Sequence, residues 1–256
     1  MNHNYRLTLA FDGTSYQGWQ RQNSTDQTIQ GTLERTCAAI LREPVRLIGS
    51  GRTDAGVHAE AMTAHFFTKK PILDGAAFRQ LMNGTLPEDI RLLAIRPVAA
   101  DFHSRYSAVG KIYRYQIDTG EKMDVFRRKY ACHYTAPLDL AAMERAARYL
   151  EGTNDFSSFT IDRTPGKSKV RTIRAIRMEQ QGNLLLIRYE GDGFLYNMVR
   201  ILTGTLLEVG DGRKRAEDIP GILEKKQRAA AGFTAPAQGL FLERVLYEEA
   251  DIQEQC

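Results

Sequence analysis

The sequence predicts an α+β protein made of two ferredoxin-like (RRM-like) halves with mostly antiparallel sheets. Two observations lead to this fold class. Strand and helix patterns alternate along the chain, and the first half follows the order strand–helix–strand–strand–helix–strand, which is typical of a ferredoxin-like sheet. The chain has 256 residues, 43% of them hydrophobic, which is enough for one large or two small domains. We therefore predict an N-terminal domain over 1–104 and a C-terminal domain over 105–256.

Each element of the first half has its own signal. Alternating residues predict a strand over Tyr5–Phe11, and apolar residues at helical spacing predict a helix from Ile29 that ends before Pro44. The remaining predicted elements are strands over Val45–Ile48, Met62–Phe67 and Ile90–Val98, and a helix that is capped by Asp74, reaches Met82 and ends at Asn83-Gly84.

The second half repeats this alternation after a join over Ala99–Ser107. The predicted strands are Val109–Asp118, the hairpin Val170–Met178 with Leu184–Glu190, and Leu240–Tyr247. The predicted helices are Asp139–Leu150, Leu195–Val209 and most of Ala216–Ala231, while 153–168 is expected to be loop.

Composition excludes several classes of protein. No apolar run approaches the roughly 20 residues of a membrane-spanning helix, and the first residues lack the pattern of a signal peptide, so we expect a cytoplasmic protein. Cys37, Cys132 and Cys256 are scattered and form no C-x-x-C pair. This spacing argues against a disulfide framework, a zinc ribbon or a redox dithiol, and it leaves Cys37 as a core residue.

Charge is unevenly distributed around a net value of +4. The last fourteen residues hold five acidic side chains against one arginine. The segment Arg163–Arg177 instead holds only cations among its charged residues, namely Arg163, Lys167, Lys169, Arg171, Arg174 and Arg177. A polyanionic partner would explain such a segment, although a basic run alone is more often a solvated face.

The loop Gly49–Ala59 is the strongest candidate for a functional site. Its first eight positions include three glycines, which permit sharp turns and close approach of a ligand. Arg52 and Asp54 alternate and would project to the same side of extended backbone. The pair suits a nucleophilic carboxylate or a structural ion pair, and both interpretations stay open. The loop matches neither a P-loop nor G-x-G-x-x-G.

Metal and serine chemistry find little support. Asp54, His58 and His65 could be read as ligands, but their spacing matches no established zinc arrangement, and neither H-x-x-x-H nor H-E-x-x-H occurs. No G-x-S-x-G supports a serine nucleophile. We therefore expect no metal site.

The segment Gly51–Ala59, which reads GRTDAGVHA, resembles the signature of the tRNA pseudouridine synthase A family. Four further stretches match that family in the same order, so that the resemblance spans nearly the whole chain: Phe11–Gln20, Lys111–Tyr115, Phe194–Arg200 and Gly239–Leu242. The shorter stretches are weak individually, but all five together are highly specific.

The resemblance implies an isomerase that needs no cofactor and converts uridine to pseudouridine in the anticodon stem-loop of tRNA, at positions 38, 39 and 40. It also implies a homodimer, with a catalytic cleft between the two α+β halves. Asp54 matches the family's catalytic aspartate, and Arg200 matches the arginine that pairs with it. Arg52 matches the arginine that helps to hold the target nucleotide flipped out of its stack.

Further residues are expected to bind the substrate. By the same resemblance, Tyr113 packs on the target base, although a strand tyrosine can be purely structural, and Leu240 forms an apolar wall of the cleft or packs in the core. The basic residues Lys167, Lys169 and Arg171 are expected to contact tRNA phosphates. Two loop aromatics, Tyr16 and Trp19, are either structural or stack on RNA.

Two other functions compete with this hypothesis. A non-catalytic RNA-binding protein on RRM-like sheets would carry the RNP1 pattern, which is missing, and would have no need of an Arg-x-Asp loop. A metal-dependent nuclease or glycosylase would produce strand scission or free uracil and would lose activity in chelator.

Overall fold

The computed structural model describes residues 2–248, and these form two compact units. The first unit contains the chain up to Val109 together with the chain from Phe241 onward, and the second is Gly110–Leu240. The described residues include ten β-strands and five α-helices, and most strand pairs are antiparallel, so the α+β class is confirmed. The predicted domains 1–104 and 105–256 stay a prediction. Cys256 and the end of the acidic tail lie outside the described residues.

The first unit has a sheet with two helices. In chain order its elements are β1 (His3–Phe11), α1 (Ile29–Leu41), β2 (Ile48–Gly49), β3 (His58–Thr68), α2 (Gly75–Thr85) and β4 (Ile90–Val98). β1 lies between β3 and β4 and is antiparallel to both, while β2 pairs antiparallel with β3. The Sγ of Cys37 on α1 lies 3.7 Å from the Sδ of Met82 on α2, and both residues are fully buried. This confirms Cys37 as a core residue.

The second unit contains the elements that follow, in chain order β5 (Ala108–Asp118), β6 (Cys132–His133), α3 (Leu140–Leu150), β7 (Gly152–Asp155), β8 (Val170–Gln181), β9 (Leu184–Gly191), α4 (Met198–Gly210) and α5 (Ile219–Lys225). The order β5-β9-β8-β7 is antiparallel throughout, and β6 pairs parallel with β5. α3 and α4 pack together, and both carry fully buried side chains, Met143 on α3 and Leu206 on α4.

The last described strand, β10 (Leu240–Tyr247), returns the chain to the first unit. There, Phe241 and Leu242 pair in parallel with His58 and Ala59 of β3. The segment Gly49–Ala59, which we name the aspartate loop, runs into the first residues of β3, and these are thus held by a strand from the far end of the sequence.

Three predicted elements of the first half are wrong in extent. The strand predicted over Met62–Phe67 begins four residues earlier, at His58. Val45–Ile48 is no strand except at Ile48, because the backbone of Leu47 is bound by α1 side chains: its N–H donates to Glu34 (3.0 Å) and its carbonyl accepts from Gln30 (2.9 Å). α2 also runs on through Asn83-Gly84, since the Asn83 amide bonds both backbone groups of Leu92 on β4.

Three further corrections fall in the second half. The expected loop 153–168 begins with the end of β7, followed by a 3₁₀ turn over Ser157–Phe159 with Phe159 fully buried. α4 starts at Met198 rather than Leu195, because Asn197 takes a left-handed conformation (φ 61°). The helix expected over 216–231 is broken into two 3₁₀ turns and the short α5, which ends at Lys225 because the next residue, Lys226, is left-handed (φ 51°).

Candidate active site

The aspartate loop connects β2 to β3 and places Asp54 at a chain reversal. The N–H of Val57 donates to the carbonyl of Asp54 (3.2 Å), which closes the turn just after the carboxylate. Burial alternates along this segment, with Arg52 exposed, Thr53 buried and Asp54 half-buried. The carboxylate is therefore partly shielded, while the neighbouring guanidinium stays in contact with solvent.

A second segment, which we name the clamp loop (residues 12–19), holds the aspartate loop through backbone hydrogen bonds. Trp19 N–H donates to the carbonyl of Thr53 (3.1 Å), and the N–H of Gly56 donates to the carbonyl of Tyr16 (3.3 Å). These bonds lie on either side of Asp54. They fix the position of its backbone from both directions.

Two glycines make this close approach possible. Gly18 has a φ of +86°, and a Cβ there would stand 2.6 Å from the carbonyl oxygen of Thr53. A Cβ on Gly13 would stand 2.1 Å from the carbonyl oxygen of Val57. Any side chain at either position would push the aspartate loop away, so the two loops fit only because both residues are glycine.

The clamp loop is itself anchored by two aromatic residues, and both are structural. Trp19 is 2% exposed, and its indole fills the space beside Gly49, where a Cβ would meet the ring at 2.6 Å. The Tyr16 hydroxyl donates to the Asp89 carboxylate (2.6 Å), and burial together with this carboxylate raises the pKa of Tyr16. These contacts show a structural role for both rings, and stacking on RNA stays an untested alternative.

His58 supports the site structurally. The sequence had suggested no role for this residue except that of a possible metal ligand. Its side chain is 1% exposed, and its Nδ1 accepts from the N–H of Gly13 (3.1 Å) and lies 3.1 Å from the Asp12 carboxylate. The ring also stacks on Phe241 of β10, with centroids 4.6 Å apart. The signal was present in the match over Phe11–Gln20, whose Asp-Gly pair this histidine holds.

His65, the other histidine considered as a possible metal ligand, is buried and has a packing role. Its Nδ1 lies 2.9 Å from the Ser104 hydroxyl, and burial, with repulsion from His103, lowers its pKa to about 4. Among residues 2–248, no group of three or more His, Cys, Asp or Glu side chains is placed to hold a metal ion.

The second unit carries the other predicted residues. Arg200 lies on the first turn of α4, where its Nε donates to the carbonyl of Ala235 (2.7 Å) and its Nη1 to the side chain of Asn197 (3.1 Å). These two contacts hold the plane of the guanidinium. The left-handed Asn197 thus both starts α4 and supports the arginine at its beginning.

Tyr113 and Leu240 are both largely buried. Tyr113 lies on β5, is 8% exposed and meets the ring of Phe194 edge-on at 5.3 Å. Leu240 is the first residue of β10 and is 6% exposed. Asp54 and Arg52 thus belong to one unit and Arg200, Tyr113 and Leu240 to the other, and the pairing of Arg200 with Asp54 stays a prediction.

The basic segment has an acidic neighbour just before it. The ammonium of Lys167 contacts the Asp162 carboxylate, and Lys169 contacts the carbonyl of the same residue. Lys167, through its charge and hydrogen bond, is the main cause that lowers the pKa of Asp162, with further hydrogen bonds from Thr164. Arg171 bonds the carbonyl of Ser168 (3.2 Å). These contacts organise the segment, and its role in binding RNA stays a prediction.

Comparison with known proteins addresses the identity of the chain. The family model for tRNA pseudouridine synthase matches residues 8–107 and 146–248. The chain belongs to the tRNA pseudouridine synthase family. Both matched segments include predicted site residues. The first covers the clamp and aspartate loops together with the end of β1 and all of β3, and the second covers the basic segment, α4 and β10.

Individual members of the family are similar along their whole length. A tRNA pseudouridine synthase A of Acetivibrio thermocellus is 44% identical over 244 residues, which cover 95% of this chain and 99% of the relative. The tRNA pseudouridine synthase A 2 of Clostridium tetani is 44% identical over 248 residues, 96% and 100% of the two chains. The tRNA pseudouridine synthase A of Halalkalibacterium halodurans is 46% identical over 236 residues, which cover 91% of this chain and 89% of the relative. No helix within residues 2–248 is long and apolar enough to span a membrane.

Proposed function

We propose that this chain converts uridine to pseudouridine in the anticodon stem-loop of tRNA, at positions 38, 39 and 40. One observation carries the proposal. This chain is similar to tRNA pseudouridine synthases along nearly its whole length, and it holds the half-buried Asp54 in a turn whose backbone is hydrogen-bonded to the clamp loop on both sides of that residue. A fixed carboxylate is what breaking a glycosidic bond requires, since misplacement of a reacting group by about 1 Å can cost about a hundredfold in rate.

The reaction conserves atoms and electrons. The bond between C1′ of the ribose and N1 of uracil breaks, the base turns within the site, and a bond forms between C1′ and C5. The proton on C5 is released and N1 gains one. Because no electron is transferred to or from the substrate, the chemistry requires no redox cofactor, and an ionised carboxylate that attacks base or sugar, or assists glycal formation, suffices.

Each site residue has a proposed role. Asp54 is the catalytic carboxylate, and Arg200 pairs with it and keeps it ionised and oriented. Arg52, which is exposed beside it, holds the target nucleotide out of its stack, where binding contacts must offset a few kcal/mol of lost stacking. Tyr113 packs on the target base, and Leu240 forms an apolar wall.

The basic segment supplies affinity. Lys167, Lys169 and Arg171 contact tRNA phosphates in this proposal, and Lys167 exchanges its intramolecular carboxylate for a phosphate on binding. Such contacts position the RNA without reading its bases, so they increase affinity for all tRNAs alike.

The architecture we infer consists of two ferredoxin-like halves with the catalytic cleft between them. The chain order β1-α1-β2-β3-α2-β4, with β1 between β3 and β4, supports this for the first half. In the second half, β5 lies beside β9 and β9 beside β8, in the positions that a second such sheet requires. We further propose a cytoplasmic homodimer, on the resemblance to the family.

Mapping of the product tests the function. Because pseudouridine does not change the mass of tRNA, an unmodified tRNA transcript is incubated with the protein and then derivatised chemically to locate pseudouridine. We expect derivatised nucleotides at positions 38–40. Binding without conversion would indicate a passive RNA-binding protein, and strand scission or free uracil would indicate a nuclease or glycosylase; either result overturns the proposal.

A further inference from the structure

An exposed aromatic ring lies in the first unit, outside the residues to which the reaction assigns a role. Tyr106, in the connection between β4 and β5, is 78% exposed. A single exposed aromatic side chain on a protein surface is unremarkable by itself. What distinguishes Tyr106 is the number of contacts that hold its ring in one place.

His103 forms the support of this ring. Its imidazole packs against the ring of Tyr106 with centroids 4.3 Å apart and planes 31° apart. The His103 Nδ1 accepts hydrogen bonds from the backbone N–H groups of Arg105 (3.1 Å) and Tyr106 (3.2 Å). The turn is closed by Ser107, whose N–H donates to the carbonyl of His103 (2.9 Å). The tyrosine ring is therefore oriented before any ligand arrives.

Positive charge accompanies the ring. The Arg105 guanidinium lies 5.8 Å from the centroid of the Tyr106 ring. Proteins hold unpaired RNA bases by stacking them on aromatic rings and arginine planes, while nearby cations contact the phosphates. A protein partner would instead favour a contiguous apolar patch, whereas the side chains that contact this ring, His103 and Arg105, are polar or charged.

The turn is also tied to the strand that enters the aspartate loop. The Ser104 hydroxyl donates to the carbonyl of Ile48 (2.6 Å) in β2, the strand that leads into the loop. His65 of β3 lies against both Ser104 and His103, with imidazole centroids 4.8 Å apart in the second case. The exposed ring and the catalytic turn therefore share one rigid support.

We propose that Tyr106, backed by His103 and flanked by Arg105, is a stacking platform for an unpaired base of the substrate tRNA, distinct from the uridine that is isomerised. This inference rests on the proposed function, since it takes the same tRNA as its ligand. The platform holds a neighbouring nucleotide while the target base is turned within the site.

Affinity for an unmodified tRNA transcript tests the stacking. Tyr106→Ala should weaken binding by about 5- to 150-fold, the range that one base–aromatic stack contributes. Tyr106→Phe keeps the ring and should bind within about twofold of the unaltered chain. Tyr149→Ala removes another exposed tyrosine, on α3, and should leave the affinity unchanged.

Salt dependence separates stacking from charge. Tyr106→Ala should leave the slope of log K against log[salt] unchanged, because a stacked base releases no counterions. Arg105→Gln should flatten that slope by about 0.7 to 0.9, the value of one phosphate contact.

Three results would overturn the platform. The first is an unaltered tRNA affinity in Tyr106→Ala, and the second is a Tyr106→Phe variant that binds tRNA as weakly as the alanine variant. The third is a change of oligomeric state in Tyr106→Ala, measured by sedimentation, because it would make the ring part of a protein interface. Pseudouridine formation by the unaltered chain is measured in parallel. If the unaltered chain binds tRNA and Tyr106→Ala weakens that binding, but no pseudouridine forms, then the proposed function is wrong while the stacking platform stands.

Discussion

Replacing Gly18 by alanine should damage catalysis far more than stability. A Cβ at this position would stand 2.6 Å from the Thr53 carbonyl oxygen, whereas ordinary contacts begin at 3.4 Å, so the chain next to Asp54 must move by about 0.8 Å. The φ of +86° adds about 1–2 kcal/mol of backbone strain. We expect kcat to fall by about a hundredfold, because a displacement of this size misaligns a reacting group.

Gly212 provides the matched control for this variant. It has a nearly identical φ of +80°, but a Cβ there would meet no atom within 4 Å. Gly212→Ala should therefore suffer the backbone strain alone, lowering Tm by about 2–8 °C while kcat stays near normal. Single-turnover pseudouridine formation and thermal unfolding are measured for both variants. If Gly18→Ala keeps the kcat of Gly212→Ala, the clamp loop does not position the aspartate.

Three other perturbations address the remaining contacts. Arg200→Lys should lower kcat well beyond any loss of tRNA affinity, because in the proposed pair with Asp54 an ammonium cannot replace a guanidinium that would hold the carboxylate through two bonds; a fully active Arg200→Ala would exclude the pairing with Asp54. Changing Lys167 and Lys169 to Gln should flatten the salt slope of tRNA binding by about 1.4 to 1.8 with little change in kcat at saturation, and an unchanged slope would make the segment a solvated face. His65 has a folded-state pKa of about 4, below the ordinary 6.5, so the unfolded chain binds the extra proton. The free energy of unfolding should fall as pH drops from about 6.5 towards 4, and this fall should be smaller in His65→Phe, measured by urea titration at each pH.

Long periodic elements were predictable because local sequence determines them. α1 and α3 begin at Thr28 and Asp139 caps that bond the helix N-terminus, and their apolar spacing is regular. Two of the errors arose where side chains from distant elements bind the backbone. Glu34 and Gln30 hold Leu47 out of a strand, and Asn83 serves as an anchor to β4 rather than as a helix stop. Such long-range bonds leave no local pattern.

The residues of the candidate site could be named from the sequence, and their catalytic and binding roles stay predictions. The contacts that support these residues could not be predicted. The segment with Asp54 was recognised from its resemblance to a family, and its glycines indicated close approach. The segment that makes this approach, the clamp loop, is identified only by the structure, in which Gly18 packs against the backbone of Thr53. The structural roles of Trp19 and His58 were also not predictable, because their burial depends on elements far away in the sequence.

The most direct test of the account is release of the C5 hydrogen from uridine in tRNA by Asp54→Asn. This change keeps size and hydrogen bonding but removes the charge. tRNA labelled with tritium at C5 of uridine is incubated with the variant at saturating enzyme, and the affinity for tRNA is measured in parallel. We predict that tritium release is abolished while binding changes by less than tenfold, about 1.4 kcal/mol. Release near that of the unaltered chain would contradict the catalytic role of Asp54.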